Sequence, residues 1–109
     1  MGDGDDAMLQ LRPNCEHCDK DLPASSEEAL ICSYECTFCR GCVEGVLENV
    51  CPNCGGGFVA RPIRPQTAWR EGVSLIHQPP SGEKILKPVN VAEHATFSEC
   101  VKNIPPAKR

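Results

Sequence analysis

Eight of the nine cysteines in this chain fall within the forty residues from Cys15 to Cys54. They are Cys15, Cys18, Cys32, Cys36, Cys39, Cys42, Cys51 and Cys54, spaced C-x2-C-x13-C-x3-C-x2-C-x2-C-x8-C-x2-C. Eight thiolates in four close pairs suffice for two tetrahedral four-sulfur sites, the coordination zinc takes in structural centres. A C-x2-C turn aims both sulfurs at one ion, and the N–H groups that follow its first cysteine can donate to them. The residue after the second cysteine then suits a left-handed backbone; here those residues include Asp19 and Gly55. With all eight clustered thiols engaged, neither ion keeps an open position for catalysis, and no Ser/His/Asp grouping is visible. The expectation is a non-enzymatic module with Zn(2+), two per chain.

The rest of the chain must hold those pairs in place. With 109 residues, ten prolines, nine glycines and five aromatics, it has little material for a large apolar core. Metal would then supply much of the folding free energy, on the order of 10 kcal/mol per structural zinc. The other reading of a cysteine-rich short chain is a secreted disulfide framework. The opening residues have neither a basic n-region nor an apolar h-region, and no apolar run approaches a membrane span. The expectation is a cytoplasmic protein, where paired cysteines favour metal over disulfide.

Charge is distributed unevenly. Residues 1–60 carry eleven acidic against three basic side chains, and residues 61–109 carry four against eight, so −8 and +4 give the net −4. Two four-thiolate zinc sites add a further −2 each, which disfavours the module as a phosphate-backbone binder. In the tail, Arg61, Arg64 and Arg70 are few and interrupted by prolines, which leaves nucleic-acid binding a weak alternative.

Along the chain, residues 1–12 read as an acidic head, with Met1 to Ala7 disordered. The two-zinc module spans residues 13–62. Cys15 to Cys18 form the first knuckle, with His17 an exposed side chain rather than a ligand, and Asp19 to Glu28 form a loop. Ala29 to Tyr34 has strand composition, and Glu35 to Phe38 would turn and return as its partner, with Tyr34 and Phe38 packing beside the metal. Val43, Val46, Leu47 and Val50 lie at i, i+3, i+4 and i+7, a stripe that predicts a helix of about two turns starting at the Cys39–Cys42 pair. Phe58 to Ala60 can add a last strand or lie over that helix. Arg61 to Pro65 marks the domain edge. Residues 63–109 read as a poorly structured basic tail, flexible or loosely docked, in which Trp69 could anchor on the module or on a partner. Cys100 reads as a spare surface thiol.

Two groupings of the ligands fit the spacing. A sequential one joins Cys15, Cys18, Cys32 and Cys36, then the last four. A cross-braced one joins Cys15, Cys18, Cys39 and Cys42 around zinc 1, and Cys32, Cys36, Cys51 and Cys54 around zinc 2. The cross-brace is preferred, because it places a knuckle, a hairpin and a helix start around one ion in a treble-clef layout. The fold expected is therefore a small α+β zinc-stabilised domain, a RING-like cross-braced treble clef with a short hairpin and one short helix.

The ligand order resembles a RING-type module in an all-cysteine version, including the Cys51-Pro52-Asn53-Cys54 ending. More closely, Leu11-Arg12-Pro13-Asn14-Cys15-Glu16, Glu35-Cys36-Thr37-Phe38-Cys39 and Cys51-Pro52-Asn53-Cys54-Gly55-Gly56 resemble a family of short bacterial cysteine-rich proteins catalogued as a domain of unknown function. That resemblance covers about residues 8–65 and implies zinc and a bacterial cytoplasm, without an activity. The RING resemblance would imply a ubiquitin ligase. RING ligases usually have an apolar residue after the first ligand and often a basic one after the eighth; here these are Glu16 and Gly55, which argues against ligase activity. The function expected is a structural zinc module acting as a non-catalytic adaptor for a protein partner, with a redox- or zinc-responsive switch as the alternative.

Overall fold

The computed structural model describes residues 8–109, so the acidic head Met1 to Ala7 lies outside the described residues. The architecture is α+β. Strand β1 (Ala29–Ile31) and strand β2 (Thr37–Cys39) form the expected hairpin. They pair antiparallel, with Ala29 opposite Cys39, Leu30 opposite Phe38 and Ile31 opposite Thr37. Strand β3 (Val59–Ala60) adds to the other edge of β1, again antiparallel, giving the order β2-β1-β3. The Phe58 to Ala60 segment thus takes the strand option. Phe58 itself turns inward and meets Phe38 edge-to-face, ring centroids 5.6 Å apart.

Helix α1 (Arg40–Cys42) follows β2 directly and widens into a π-helical turn, Val43–Leu47. The apolar stripe is the reason this segment coils: Val43 and Leu47 are buried and Val46 packs against the same core. Glu48 and Asn49 then adopt left-handed backbone angles, φ 52° and 59°, and reverse the chain. Val50 reaches the core through that reversal rather than as a helical residue, and the helix is one turn shorter at that end than its stripe suggests. Leu11 and Leu22 complete the interior. The cysteines are interleaved with these side chains, so the apolar core and the sulfur clusters form one body.

Residues 63–109 need correction in two respects. First, they contain a second helix, α2 (Val91–Glu99), started by Asn90, whose side chain accepts from the N–H of Glu93. Second, they lie across the module. Asn14 exchanges side-chain bonds with the backbone of Ile85, the Lys87 N–H donates to the Glu16 carbonyl, and the Val89 N–H donates to His17 Nδ1. Further on, Lys102 pairs with Glu48, and Arg109 donates to the carbonyls of Asn49 and Gly55. A basic segment folding back over an acidic module is what the charge asymmetry favours once backbone bonds set its path. Between residues 61 and 90 the chain is irregular, apart from an Arg70–Val73 bridge. Trp69 is 80% exposed and is not packed down among the described residues. Among the described residues, no helix is long and apolar enough to cross a membrane.

Candidate metal centre

The hairpin decides which cysteines can meet. Cys32 and Cys36 flank its turn, where the Cys32 N–H donates to the Cys36 carbonyl and Glu35 takes a left-handed angle, φ 66°. Cys39 lies at the other end of β2. Three strand residues separate the ends by roughly 10 Å, too far for Cys36 and Cys39 to share an ion. One end of the hairpin therefore faces the first knuckle and the start of α1, and the turn end faces the last knuckle.

The sulfurs follow that division. The Sγ atoms of Cys15, Cys18, Cys39 and Cys42 all lie within 4.8 Å of one another, as do those of Cys32, Cys36 and Cys51. The first set joins the first and third pairs in sequence, the crossed order. Cys18 Sγ and Cys39 Sγ are 3.7 Å apart. With Zn–S bonds of about 2.3 Å, the edge of a sulfur tetrahedron is about 3.8 Å, so that spacing suits one central ion. Cys54 does not join the second set at that distance. It lies exposed at the end of its knuckle, its sulfur accepting from the Gly56 N–H. None of the nine cysteines is in a disulfide.

Local backbone positions each pair. In the first knuckle the Cys15 N–H donates to the Lys20 carbonyl, the Asp19 N–H donates to the Cys15 carbonyl, and Asp19 has φ 65°. The last knuckle repeats this: the Cys51 N–H donates to Gly56, the Gly55 N–H donates to Cys51, and Gly55 has φ 79°. The left-handed residue after each C-x2-C is thus where the spacing places it. Sulfurs also receive donors, from the Tyr34 N–H to Cys32, the Asn53 N–H to Cys51, and the Asn53 side chain to Cys36. Such donors stabilise thiolate over thiol.

Electrostatics tell the same story. Burial pushes the Cys42 thiol well above its ordinary value, helped by its neighbours Cys39, Cys15 and Cys18. Burial likewise raises Cys51, Cys36 and Cys18. Burial opposes ionisation of Cys15 too, but N–H donors from Cys18, Cys39 and His17 outweigh it and bring that thiol below its ordinary value. Four sulfurs this close, three of them buried, cannot all ionise unaided. A divalent cation removes the conflict, and four soft sulfurs are the donor set that selects such an ion.

Several side chains around the clusters differ from expectation. Tyr34 is 74% exposed at the tip of the hairpin turn rather than in a strand, and borders Asn53 and Cys54 at the surface. His17, expected to be exposed, is half-buried under the docked tail. Glu16 is only 3% exposed, and its carboxylate accepts from Arg12 at 2.6 Å and from the Thr37 N–H at 2.7 Å. Arg61 is buried as well, donating to the carbonyls of Arg12, Leu22 and Pro23; burial lowers its pKa. The i, i+4 spacing of Arg12 and Glu16 was the available signal for the first pair.

The family described as "Protein of unknown function (DUF1272)" matches residues 8–64. An uncharacterized protein of Rhizobium meliloti (strain 1021) is 51% identical over 85 residues, 78% of this chain and 94% of its own. Residues 8–64 number 57, so an 85-residue match also takes in sequence outside the family segment. No solved structure matches the chain. With the family segment covering more than half of its length, and cysteine groups that could hold metal within that segment, this chain belongs to the DUF1272 family.

Proposed function

We propose that this chain is a structural zinc module acting as a non-catalytic, cytoplasmic adaptor for a protein partner. In this reading Cys15, Cys18, Cys39 and Cys42 hold one zinc, and Cys32, Cys36, Cys51 and Cys54 hold the second. The observation that carries it is the mutual approach of the four sulfurs in the first set, from a knuckle, a strand end and a helix, within 4.8 Å. The second site needs Cys54 to swing inward on its glycine-flanked knuckle, a small rearrangement for an exposed side chain at Gly55-Gly56-Gly57. With every clustered sulfur committed, the ions shape the surface and leave no coordination position for substrate.

Metal analysis of protein prepared without chelator tests this and should give a ratio near two; a ratio near zero overturns the reading. Cys15→Ser and Cys42→Ser test the pairing. If both strike one site, the double variant costs little more zinc than either single one. Cobalt charge-transfer absorption follows the surviving all-sulfur site in each single variant. If each single variant retains one such site and the double has none, the crossed pairing is wrong. Purification of the tagged chain under reducing, chelator-free conditions, followed by binding measurements with the purified candidate, tests the adaptor role. A second reading, a redox- or zinc-responsive switch, is favoured by the exposure of Cys18 and Cys54, one in each proposed site. It predicts zinc release by a mild thiol oxidant, reversed by reductant and added zinc.

A further inference from the structure

The two sulfur sets are not braced alike. The docked segment spans the first knuckle, through Asn14 with Ile85, Glu16 with Lys87 and His17 with Val89, and Lys84 pairs with Asp19 just after Cys18. In the second set Cys32, Cys36 and Cys51 are buried, lie mutually within 4.8 Å, and each accepts an N–H. Cys54 stands apart from them. It is exposed, lies outside that 4.8 Å grouping, and is followed by Gly55, Gly56 and Gly57. Gly55 takes φ 79°, and a glycine run is little restrained by side chains of its own.

Beside Cys54 the surface dips into an open recess of about 370 Å³, lined by Tyr34, Asn53 and Cys54. A small solute entering there meets the one sulfur of its set that is not packed with the others. What holds the last knuckle comes from residues 97–109. The Phe97 ring lies 3.5 Å from where a Cβ on Gly55 would stand, and Pro106 packs so closely on Gly57 that a Cβ there would meet it at 2.9 Å. Arg109 completes the brace. Its Nη1 donates to the Gly55 carbonyl at 3.2 Å and to the Asn49 carbonyl at 2.8 Å, tying the knuckle to the chain that leaves the π-helical turn.

Resting on the two-zinc reading above, we propose that the second sulfur set is a metal-exchange site, which passes its ion to and from small free thiols. Cys54 is the ligand that leaves, and Arg109 is a positioning residue that sets how readily it does so. The incoming thiol enters at the recess beside Tyr34. Its sulfur takes a place on the ion as Cys54 Sγ gives one up, its proton passes to Cys54, and no electron changes hands. Cys32, Cys36 and Cys51 hold the ion meanwhile, because each keeps its N–H donor. The first set, closed by four mutually near sulfurs, keeps the fold intact throughout.

The test uses the full chain loaded with ¹¹³Cd, whose two resonances are assigned to the two sets through their couplings to the cysteine β-protons. Under anaerobic conditions it is titrated with 2-mercaptoethanol and, separately, with 2-(methylthio)ethanol, a thioether of similar size. The expected result is broadening of the second-set resonance in proportion to thiol, with the first-set resonance sharp and no response to the thioether. Arg109→Ala, at a half-buried surface position, should increase that broadening about fivefold at a given thiol concentration, the scale of one lost hydrogen bond. Lys84→Ala, beside the first knuckle, should leave it unchanged. Equal broadening of both resonances, none of either, an equal response to the thioether, or no effect of Arg109→Ala overturns the proposal. Metal content of the same samples separates the two failures. A content near two without selective broadening sinks the exchange proposal alone, whereas a content near zero sinks the metal reading and this proposal with it.

Discussion

Replacing Glu16 with alanine removes an acceptor that two donors share inside the first knuckle. Arg12 Nη1 donates at 2.6 Å and the Thr37 N–H at 2.7 Å, with side-chain exposures of 17% for Arg12 and 4% for Glu16. Hydrogen bonds to a charged partner are worth about 1.5–3 kcal/mol each, so the undiscounted loss is about 3–6 kcal/mol. Arg12 is open enough to regain water, whereas Thr37 is fully buried and its N–H stays dry. We therefore expect Glu16→Ala to cost about 3 kcal/mol. Glu16→Gln keeps an oxygen for Thr37 and loses only the ion pair, for about 1 kcal/mol. Urea unfolding of the zinc-loaded protein at fixed free zinc measures both, because stability here is linked to metal activity. With an m-value of about 1–1.5 kcal/mol/M for a chain this small, the alanine variant should lose roughly 2–3 M in midpoint. A loss below about 0.5 kcal/mol for Glu16→Ala would refute the view that this carboxylate ties the knuckle to β2.

Other expectations follow from the same contacts. Asn14→Ala should free the docked segment, removing its two bonds to Ile85 and exposing Lys87 and Val89 to faster amide hydrogen exchange, with zinc content unchanged. Cys100→Ser should leave zinc content and midpoint unaltered, since that thiol is exposed on the far end of α2 and bonds only weakly to the Thr96 carbonyl; loss of an ion would demand a new ligand assignment. Zinc uptake at pH 7 should release protons, measurable by calorimetry in buffers of different ionisation enthalpy. Cys18, Cys36, Cys42 and Cys51 all have thiols raised above their ordinary value of 9.0, so they are protonated at pH 7 and must give up protons to the metal. The sign follows: affinity, and with it the stability of the loaded fold, falls as pH falls, because protons compete for each sulfur.

The sulfur pairs were legible because their spacing encodes geometry directly, and the left-handed Asp19 and Gly55 confirm how local that code is. The hairpin was readable from its composition and the stripe of Val43 and Leu47 from its period. Helix α2 was not, for a physical reason: it buries His94 and Ser98 and exposes Val91 and Phe97, so its apolar pattern is close to inverted. The docking of residues 81–89 was hidden for another reason. It rests on backbone groups meeting Leu11, Asn14, Glu16 and His17, and such bonds leave no periodic trace in side chains. The burial of Glu16 left no mark in the sequence either, because a carboxylate is ordinarily solvated; its partner four residues earlier makes burial tolerable.

The buried Arg61 guanidinium has a bearing on how the two sulfur sets come together. By grasping the Arg12 carbonyl it fastens the chain where it leaves the eight-cysteine segment to the chain where it enters, a span of 49 residues, and it also holds the carbonyls of Leu22 and Pro23 in the first loop. That fastening uses no sulfur. A ring of that length, once closed, has already lost much of the freedom that the cysteines would otherwise lose on gathering around an ion. The four pairs then meet at a high effective concentration set by the clasp, and the metal captures an arrangement that is partly assembled before it arrives. Arg61 is thereby expected to act on metal affinity from outside both sulfur sets.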